Sequence, residues 1–166
     1  LQYYFFDSEL LTRYKWTRNQ SLGDDYSSKF SPYLALGCLS PRRVYWENKK
    51  YEAEVKKNIS TYWLIFELTW RDYFNFLMRK YPRDSFRLYG PMRRELPWSR
   101  DRESFERWRR GETGEPFIDA NMRELALTGY MSNRGRQNVA SYLARDLGID
   151  WRIGAEWFES TLIDYD

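Results

Sequence analysis

Histidine is absent from this chain of 166 residues, and cysteine occurs once, at Cys38. Without histidine, neither a Ser-His-Asp nor a Cys-His catalytic arrangement is possible, and no metal can be bound by histidine. A single cysteine excludes an internal disulfide, a four-cysteine zinc site and an iron–sulfur cluster. Any chemistry must therefore depend on carboxylates, arginine, lysine, amides, aromatic rings or a bound cofactor.

The chain also lacks a run of about 20 apolar residues, the length that a helix needs to cross a bilayer. Its first residues have neither the basic start nor the small-residue cleavage site of a signal peptide. We therefore expect no membrane partner and no targeting signal in this chain, and a full-length protein that is cytoplasmic, nuclear or organellar. The formal net charge is only +3, so charge alone gives weak support for nucleic-acid binding.

Aromatic residues, by contrast, make up 19% of the sequence and include eight tryptophans, a composition that supports a folded core. Helix start and stop signals recur along the chain, whereas no segment shows the alternating pattern of a strand. These signals predict an all-α fold with about eight helices. The predicted helices run from Ser8 to about Thr17, Ser31 to Gly37, Ser40 to about Tyr51, Ser60 to about Lys80, Ser99 to Arg110, Asp119 to about Leu127, Ser132 to Gly148, and Asp150 to Leu162.

The longest predicted helix, from Ser60 to about Lys80, carries aromatic residues around most of its circumference. We therefore expect a central helix that is buried on several sides. Glu67 and Arg71 lie four residues apart and so on one face of this helix. They could form an intrahelical ion pair, or they could bind a ligand, because charges on so apolar a helix need partners.

Four segments carry a recognisable series of motifs: residues 14–37, which include DYSSKFSPYLALG; residues 66–74 (FELTWRDYF); residues 108–125; and residues 128–137 (TGYMSNRGRQ). Their order and spacing resemble the flavin-binding helical domain of the photolyase/cryptochrome family. Residues 131–138 together with 154–159 (GAEWFE) are most similar to the cryptochrome DASH branch. A single motif of this kind would be a weak signal, but four in order make the resemblance specific.

The resemblance implies a multi-helical FAD-binding domain and a lyase reaction. That reaction is the blue-light-driven repair of cyclobutane pyrimidine dimers, chiefly in single-stranded DNA, by electron transfer from reduced flavin. Residues 1–166 would form a partial domain, because family members begin with an α/β antenna domain and continue past the position of Asp166. A folate-type antenna chromophore would then belong to that other domain, and the protein would be a monomer. Two alternatives stay open: a blue-light photoreceptor or nucleic-acid-binding module without repair, and an inactive fragment of either.

The loop Ser27–Ser31 combines hydroxyls, a lysine and backbone N–H groups at a helix start, and these groups suit an anion. Without the resemblance, a polar turn with Ser31 as a helix N-cap is the simpler explanation. With it, the loop binds the FAD pyrophosphate, and Arg136 pairs with Asp164 beside the flavin ring. The cofactor residues implied by the resemblance are Tyr14, Ser27, Ser28, Lys29, Phe30, Ser31, Arg71, Asn133, Arg136, Asp164 and Asp166.

The resemblance also implies roles on the DNA side. Glu67 would hydrogen-bond the dimer, and Trp70 would stack on the flipped lesion. Trp98 and Trp151 match two members of a chain of electron-hopping tryptophans, although most tryptophans simply pack in a core. The implied catalytic residues are Glu67, Trp70, Asn133, Trp98 and Trp151; the implied DNA-binding residues are Arg18, Glu67, Trp70, Arg134 and Gln137; no metal ligand is implied.

The absence of histidine also discriminates within the family. Photolyases for (6-4) photoproducts resemble this domain but carry active-site histidines where this sequence has Ser132 and Asn133. Dimer repair by electron transfer and bond splitting needs no histidine acid. The sequence therefore favours cyclobutane dimers as the substrate.

Overall fold

A computed structural model describes all 166 residues and contains helices but no sheet. One isolated parallel bridge joins Ser99 and Ile149. The predicted all-α fold is therefore confirmed. The helices are α1 (Tyr14–Thr17), α2 (Ser31–Ala35), α3 (Pro41–Glu54), α4 (Ile59–Lys80), α5 (Arg102–Arg110), α6 (Pro116–Thr128), α7 (Asn133–Ser141) and α8 (Trp151–Thr161).

The chain forms two compact units. The first unit comprises residues 1–79 and Asp166, and the second comprises residues 80–165. A buried apolar cluster around Phe5 and Tyr51 forms the core of the first unit. Another cluster, around Trp108 and Met122, forms the core of the second. No helix in the structure combines the length and the apolar character that a membrane span requires.

The start of the first unit is irregular, whereas the sequence predicts one helix from Ser8 to Thr17. A π-helical turn (Tyr3–Asp7) and a 3₁₀ turn (Leu10–Arg13) precede the short helix α1. The break lies at Glu9, whose φ of 49° is in the left-handed region and cannot continue a right-handed helix. Phe5 and Leu11, on either side of the break, are both fully buried in the same core.

Three of the predicted helix starts are confirmed by side-chain caps. Ser40 accepts a hydrogen bond from the backbone N–H of Arg43 at the start of α3. Ser132 and Asp150 cap α7 and α8 in the same way. Each cap satisfies a backbone donor that the first helical turn leaves without a partner.

Other helix starts differ from the prediction. Asn58, rather than Ser60, caps α4, because its side-chain oxygen accepts from the backbone N–H groups of Ser60 and Thr61 at 2.8 and 3.2 Å. Asp101, rather than Ser99, caps α5. These corrections are small, since Asn and Asp cap helices as well as Ser does.

The helix α4 is not buried on several sides, contrary to the prediction. Its buried residues, Ser60, Thr61 and Leu64, all lie in the first two turns. Farther along, Trp70 is 44% exposed and Phe74 is 53% exposed. The aromatic rings pack instead on their neighbours along the helix, with the centroids of these two rings 5.6 Å apart. Aromatic residues around the circumference of a helix therefore predict ring–ring contacts along that helix, but they do not predict that the helix is buried.

The second unit is built around Trp108, which is completely buried. Its indole N–H donates to the backbone oxygen of Val139 in α7 at 3.0 Å. Close packing of α7 on α6 depends on Gly135, because a Cβ there would lie 2.1 Å from the side-chain oxygen of Asn121. This contact fixes the start of α7, where the predicted site residue Asn133 is located.

Candidate functional site

Four residues of the loop Ser27–Ser31, in the first unit, line a cavity of about 450 Å³: Ser27, Ser28, Lys29 and Phe30. The aromatic rings of Tyr4 and Phe30 form part of its wall. The hydroxyl of Tyr4 and the Oγ of Ser27 are buried and have no hydrogen-bond partner. Because a buried hydroxyl without a partner is costly, these two groups indicate room for a polar ligand.

The charges around this cavity are mixed. Burial raises the pKa of Tyr4, so its phenol is neutral and can donate its proton. The Lys29 ammonium lies 3.9 Å from the ring centroid of Tyr26, and Lys29 has a left-handed φ of 54°. The carboxyls of Asp24 and Asp25 also line the cavity. Neutral donors and an ammonium can therefore hold an anion, while the two carboxyls restrict where it binds.

Ser31 is the first residue of α2 and not its N-cap, which corrects that alternative for the loop. Phe30 occupies the cap position and makes no side-chain capping bond. Since α2 has only five residues, few peptide dipoles align at its start. An anion at this loop would therefore be bound mainly by side chains. Tyr14, assigned to the same site, is buried in the core cluster that contains Phe30.

Glu67 and Arg71 on α4 do not pair with each other, so the intrahelical ion pair is wrong. The Arg71 Nε donates to the Asp166 carboxylate at 2.5 Å. The Glu67 carboxylate instead accepts from Nη1 of Arg18, which follows α1. The structure thus brings together two residues assigned to the cofactor, and separately two residues assigned to DNA.

Trp63, one turn before Glu67 on α4, also contacts Arg18. The guanidinium carbon of Arg18 lies 4.6 Å from the Trp63 ring centroid, and the Lys15 ammonium lies 3.4 Å from it. Both are cation–π contacts, which stabilise a cation next to an indole ring. Sequence reasoning missed Trp63 and Lys15 because the two are far apart in the chain and only tertiary packing brings them together.

Trp70 presents an aromatic surface on the exposed part of α4. It stacks with Phe74 at an interplanar angle of 27° and meets Phe66 and Tyr73 edge-on. These neighbours restrict the indole ring while leaving 44% of the residue exposed. A fixed, exposed indole is a suitable platform for a nucleobase.

Arg136 and Asp164 form an ion pair in the second unit, with Nη2 2.8 Å from the carboxylate and the Asp164 side chain 1% exposed. The Arg136 Nε also donates to the backbone oxygen of Met131 at 2.8 Å. The other carboxylate oxygen of Asp164 is buried and accepts no hydrogen bond. A ligand N–H group could satisfy this oxygen, because buried acceptors without a donor are costly.

The start of α7 carries three further predicted site residues, and all three are exposed. Asn133 is the first helical residue, and Nη1 of Arg134 lies 3.2 Å from the amide oxygen of Gln137. These side chains emerge within one turn, so they can act on one ligand together. An exposed guanidinium beside two amides suits contacts to phosphates and to base edges.

The isolated bridge brings the segments of Trp98 and Trp151 together. Ser99, next to Trp98, accepts a hydrogen bond from the backbone N–H of Asp150, next to Trp151, at 2.9 Å. The Trp151 indole N–H donates to the backbone oxygen of Leu88 at 3.1 Å. The Trp98 indole N–H is buried without a partner. The two assigned electron carriers therefore occupy neighbouring segments with different hydrogen bonding.

Comparison with known proteins gives a consistent result. The family model described as the FAD binding domain of DNA photolyase matches residues 63–166. Cryptochrome DASH of Xenopus laevis is 60% identical over all 166 residues, which are 32% of that relative's length. The chain therefore spans about a third of the length of the curated relatives that it matches.

Solved structures resemble this fold closely. The crystal structure of a Synechocystis sp. PCC6803 cryptochrome matches 99% of this chain with a TM-score of 0.98 and 62% identity, using 34% of its own chain. A bacterial class III photolyase from Agrobacterium tumefaciens matches 98% of this chain with a TM-score of 0.84 and 34% identity, using 33% of its own chain.

Proposed function

Because this chain belongs to the photolyase/cryptochrome family and is most like its cryptochrome DASH members, we propose that it is the FAD-binding part of a light-driven DNA-repair lyase. The proposed substrate is the cyclobutane pyrimidine dimer, chiefly in single-stranded DNA. Similarity to a class III photolyase supports the lyase assignment. The monomeric state, and a folate-type antenna chromophore in a separate domain, stay predictions.

One observation carries this proposal: Glu67 and Trp70 lie three residues apart on the same face of α4. Trp70 offers an exposed ring on which an extruded base can stack. Glu67 offers a carboxylate that can accept a hydrogen bond from a base N–H group. A stacking platform beside a hydrogen-bond acceptor suits a flipped pyrimidine pair better than a continuous duplex.

The residues present also fit the proposed cofactor. In the first unit, Ser27, Lys29 and Arg71 would hold the phosphates, and the unpartnered Ser27 hydroxyl supplies a donor for them. In the second unit, Arg136 would place a positive charge beside the flavin ring, and the unpartnered Asp164 oxygen would accept an N–H group. When bound, reduced FAD supplies the electron that blue light drives into the dimer. The chain's own residues would bind the cofactor, orient it and stabilise its charge.

Cofactor binding is tested by titrating the purified 166-residue chain with FAD and following the flavin fluorescence. We expect saturable binding, and about tenfold weaker binding for D164A, the size expected when a charge-assisted hydrogen bond is lost. Asp146 is exposed, so D146A is the matched control for removing one carboxylate. An absence of binding by the unmodified chain would overturn the cofactor assignment for these residues.

Repair is tested by illuminating the reduced, FAD-loaded chain with single-stranded oligonucleotides that contain dimers. The expected result is blue-light-dependent loss of dimers, reduced in W70A and retained in part in W70F, which keeps a stacking ring. Intact dimers after illumination of the loaded chain would rule out repair by this chain.

A second candidate is a nucleic-acid-binding photoreceptor module without repair. The contact between Glu67 and Arg18 favours it, because the contact occupies Oε1 of the carboxylate and leaves fewer acceptor sites for a base. The same illumination experiment separates the candidates: binding of the oligonucleotide without loss of dimers favours the photoreceptor module.

A further inference from the structure

The short helix α1 has an unusual distribution of charged and apolar side chains. Trp16 is its only exposed residue, and 65% of the residue is exposed, whereas Lys15 is partly buried. A surface helix normally turns its charged residues outward and its apolar residues toward the core. In α1 the large apolar ring is the outward group, so packing in the core does not explain its position.

The two cations on either side of Trp16 in the sequence are held against α4. The Lys15 ammonium lies 3.4 Å from the ring centroid of Trp63, and the guanidinium carbon of Arg18 lies 4.6 Å from it. The backbone N–H of Lys15 also donates to the Oγ of Ser60, in the first turn of α4, at 3.1 Å. These contacts fix α1 on α4, so the indole of Trp16 projects from a backbone that is held in place.

The surroundings of Trp16 carry excess positive charge. Arg18 pairs with the Glu67 carboxylate, whereas the Lys15 ammonium contacts a ring and forms no ion pair. An apolar side chain of a protein partner would gain nothing from this charge, but a nucleotide combines a flat base with a negative phosphate. Exposed aromatic rings beside cations bind single strands by base stacking, whatever the base. The charge and the exposed ring together therefore fit a single-stranded nucleic acid.

The same contacts connect Trp16 with the proposed dimer site. Glu67, which Arg18 contacts, lies three residues before Trp70 on α4. Trp16 and Trp70 therefore belong to two segments of the first unit that this ion pair joins. A strand whose dimer stacks on Trp70 can place a neighbouring base on Trp16.

We propose that Trp16 stacks on an unpaired base that flanks the dimer, and that this contact favours single-stranded over duplex DNA. The inference rests on the proposed function, which supplies the dimer site at Trp70. A flanking base in a single strand is free to stack on the indole. In a duplex the same base is paired and stacked on its neighbours, and unpairing it costs free energy. Trp16 would thus determine which form of the substrate binds more tightly.

The test compares W16A with the wild type on two oligonucleotides that carry the same dimer, one single-stranded and one duplex. Loss of one stacked base should weaken the single-strand affinity of W16A about five- to 150-fold. The duplex affinity should stay the same, so W16A discriminates less between the two forms. W16F keeps an aromatic ring and should retain most of the single-strand affinity.

The matched control is W46A. Trp46 lies on α3 and is 67% exposed, so this variant removes an equally exposed indole from another part of the first unit. It corrects for a general loss of exposed aromatic surface, and both of its affinities should equal those of the wild type. Circular dichroism checks that W16A and W46A are folded to the same extent.

Abasic sites test whether the indole holds a base. In one member of a further set of dimer-containing single strands every flanking position is abasic, and in each of the others a single flanking position is abasic. On the fully abasic flank, W16A and the wild type should bind equally, because the base that the indole would hold is missing. The single abasic sites then identify which base it is.

The outcomes separate the inference from the proposed function. If W16A weakens only single-strand binding, W46A does not, and the abasic flank removes the difference, stacking by Trp16 is supported. If W16A binds like the wild type, loses as much affinity for the duplex, or keeps its deficit on the abasic flank, the role of Trp16 is wrong while the proposed function stands. If the wild type binds no dimer-containing oligonucleotide, the proposed function fails and the role of Trp16 with it.

Discussion

A single carboxylate, Asp119, organises the turn before α6. It accepts hydrogen bonds from the backbone N–H and the hydroxyl of Thr113, at 2.8 and 2.6 Å, and from the backbone N–H of Gly114 at 3.0 Å. Burial would raise the pKa of Asp119, but these hydrogen bonds lower it below its ordinary value. The charged Asp119 side chain therefore holds the turn in place, although the sequence predicts only a helix start there.

Replacing Asp119 with Asn should destabilise the protein by about 1.5–3 kcal/mol, the usual cost of losing hydrogen bonds to a charged group. The new amide nitrogen would face a backbone N–H that needs an acceptor. Urea denaturation followed by circular dichroism measures the loss. Glu115 is exposed in the same turn, so E115Q is the control for charge, and an equal loss in both variants would contradict the prediction.

Asp150 gives a pH-dependent prediction. The side-chain hydrogen bond from Arg152 lowers the pKa of Asp150 below its ordinary value of 3.8, and the backbone N–H of Arg152 lowers it further. A folded-state pKa below the unfolded one contributes stability above pH 3.8, and this contribution is lost as the pH falls through the folded-state pKa.

D150N keeps a capping side chain but cannot titrate. We therefore expect D150N to be less stable than the wild type at pH 6 and the difference to be smaller at pH 2, because acid reduces the wild-type advantage. Thermal unfolding of both proteins at the two pH values checks this. A difference that is the same at both pH values would show that the charge of Asp150 contributes nothing.

The contact between α6 and α7 fixes the position of the start of α7, from which the exposed site residues project. Gly135 permits this contact, since a Cβ there would also lie 2.8 Å from the Met131 side chain. Sequence signals locate both helices, because Ser132 and Gly129 are local caps. They do not show which helices touch, because close approach at a glycine depends on residues in another helix.

G135A should therefore destabilise the protein even though alanine is a better helix former than glycine. Overpacking a tight contact costs about 1–3 kcal/mol, which exceeds the gain of about 1 kcal/mol from helix propensity. Truncating the obstructing side chain in N121A should recover part of the loss in the double variant, measured by a double-mutant cycle. Purely additive losses would show that the two side chains do not collide.

Across the whole molecule, the small net charge of +3 means that the proposed DNA binding would depend on a few placed cations. The motif series identifies the family and assigns these cations residue by residue. It does not show that Arg18 contacts Glu67 and Trp63, or that Arg71 contacts Asp166. Such pairings join segments that are distant in the chain, and no local periodicity encodes them.

The salt dependence of the affinity for DNA measures how many of these cations contact phosphate groups. For phosphate contacts by Arg18 and Arg134 to single-stranded DNA, the slope of log K against log salt should be about −1.4, or about −0.7 for each contact. R134Q should halve the slope. R110Q, which removes an equal charge from an exposed surface pair with Glu112, should leave it unchanged. Equal slopes for all three proteins would show that Arg134 does not contact phosphate.

The indole N–H of Trp108 is enclosed by the core of the second unit and bonded to the backbone of Val139. Such a proton exchanges with deuterium only when the surrounding core opens. In a proton NMR spectrum, indole signals lie apart from most backbone amides. The rate at which this one resonance exchanges therefore measures how often the second unit opens. A ligand that binds the folded second unit should slow this exchange and lengthen the lifetime of the signal. The exchange rate would then detect binding without measuring the absorbance of the ligand.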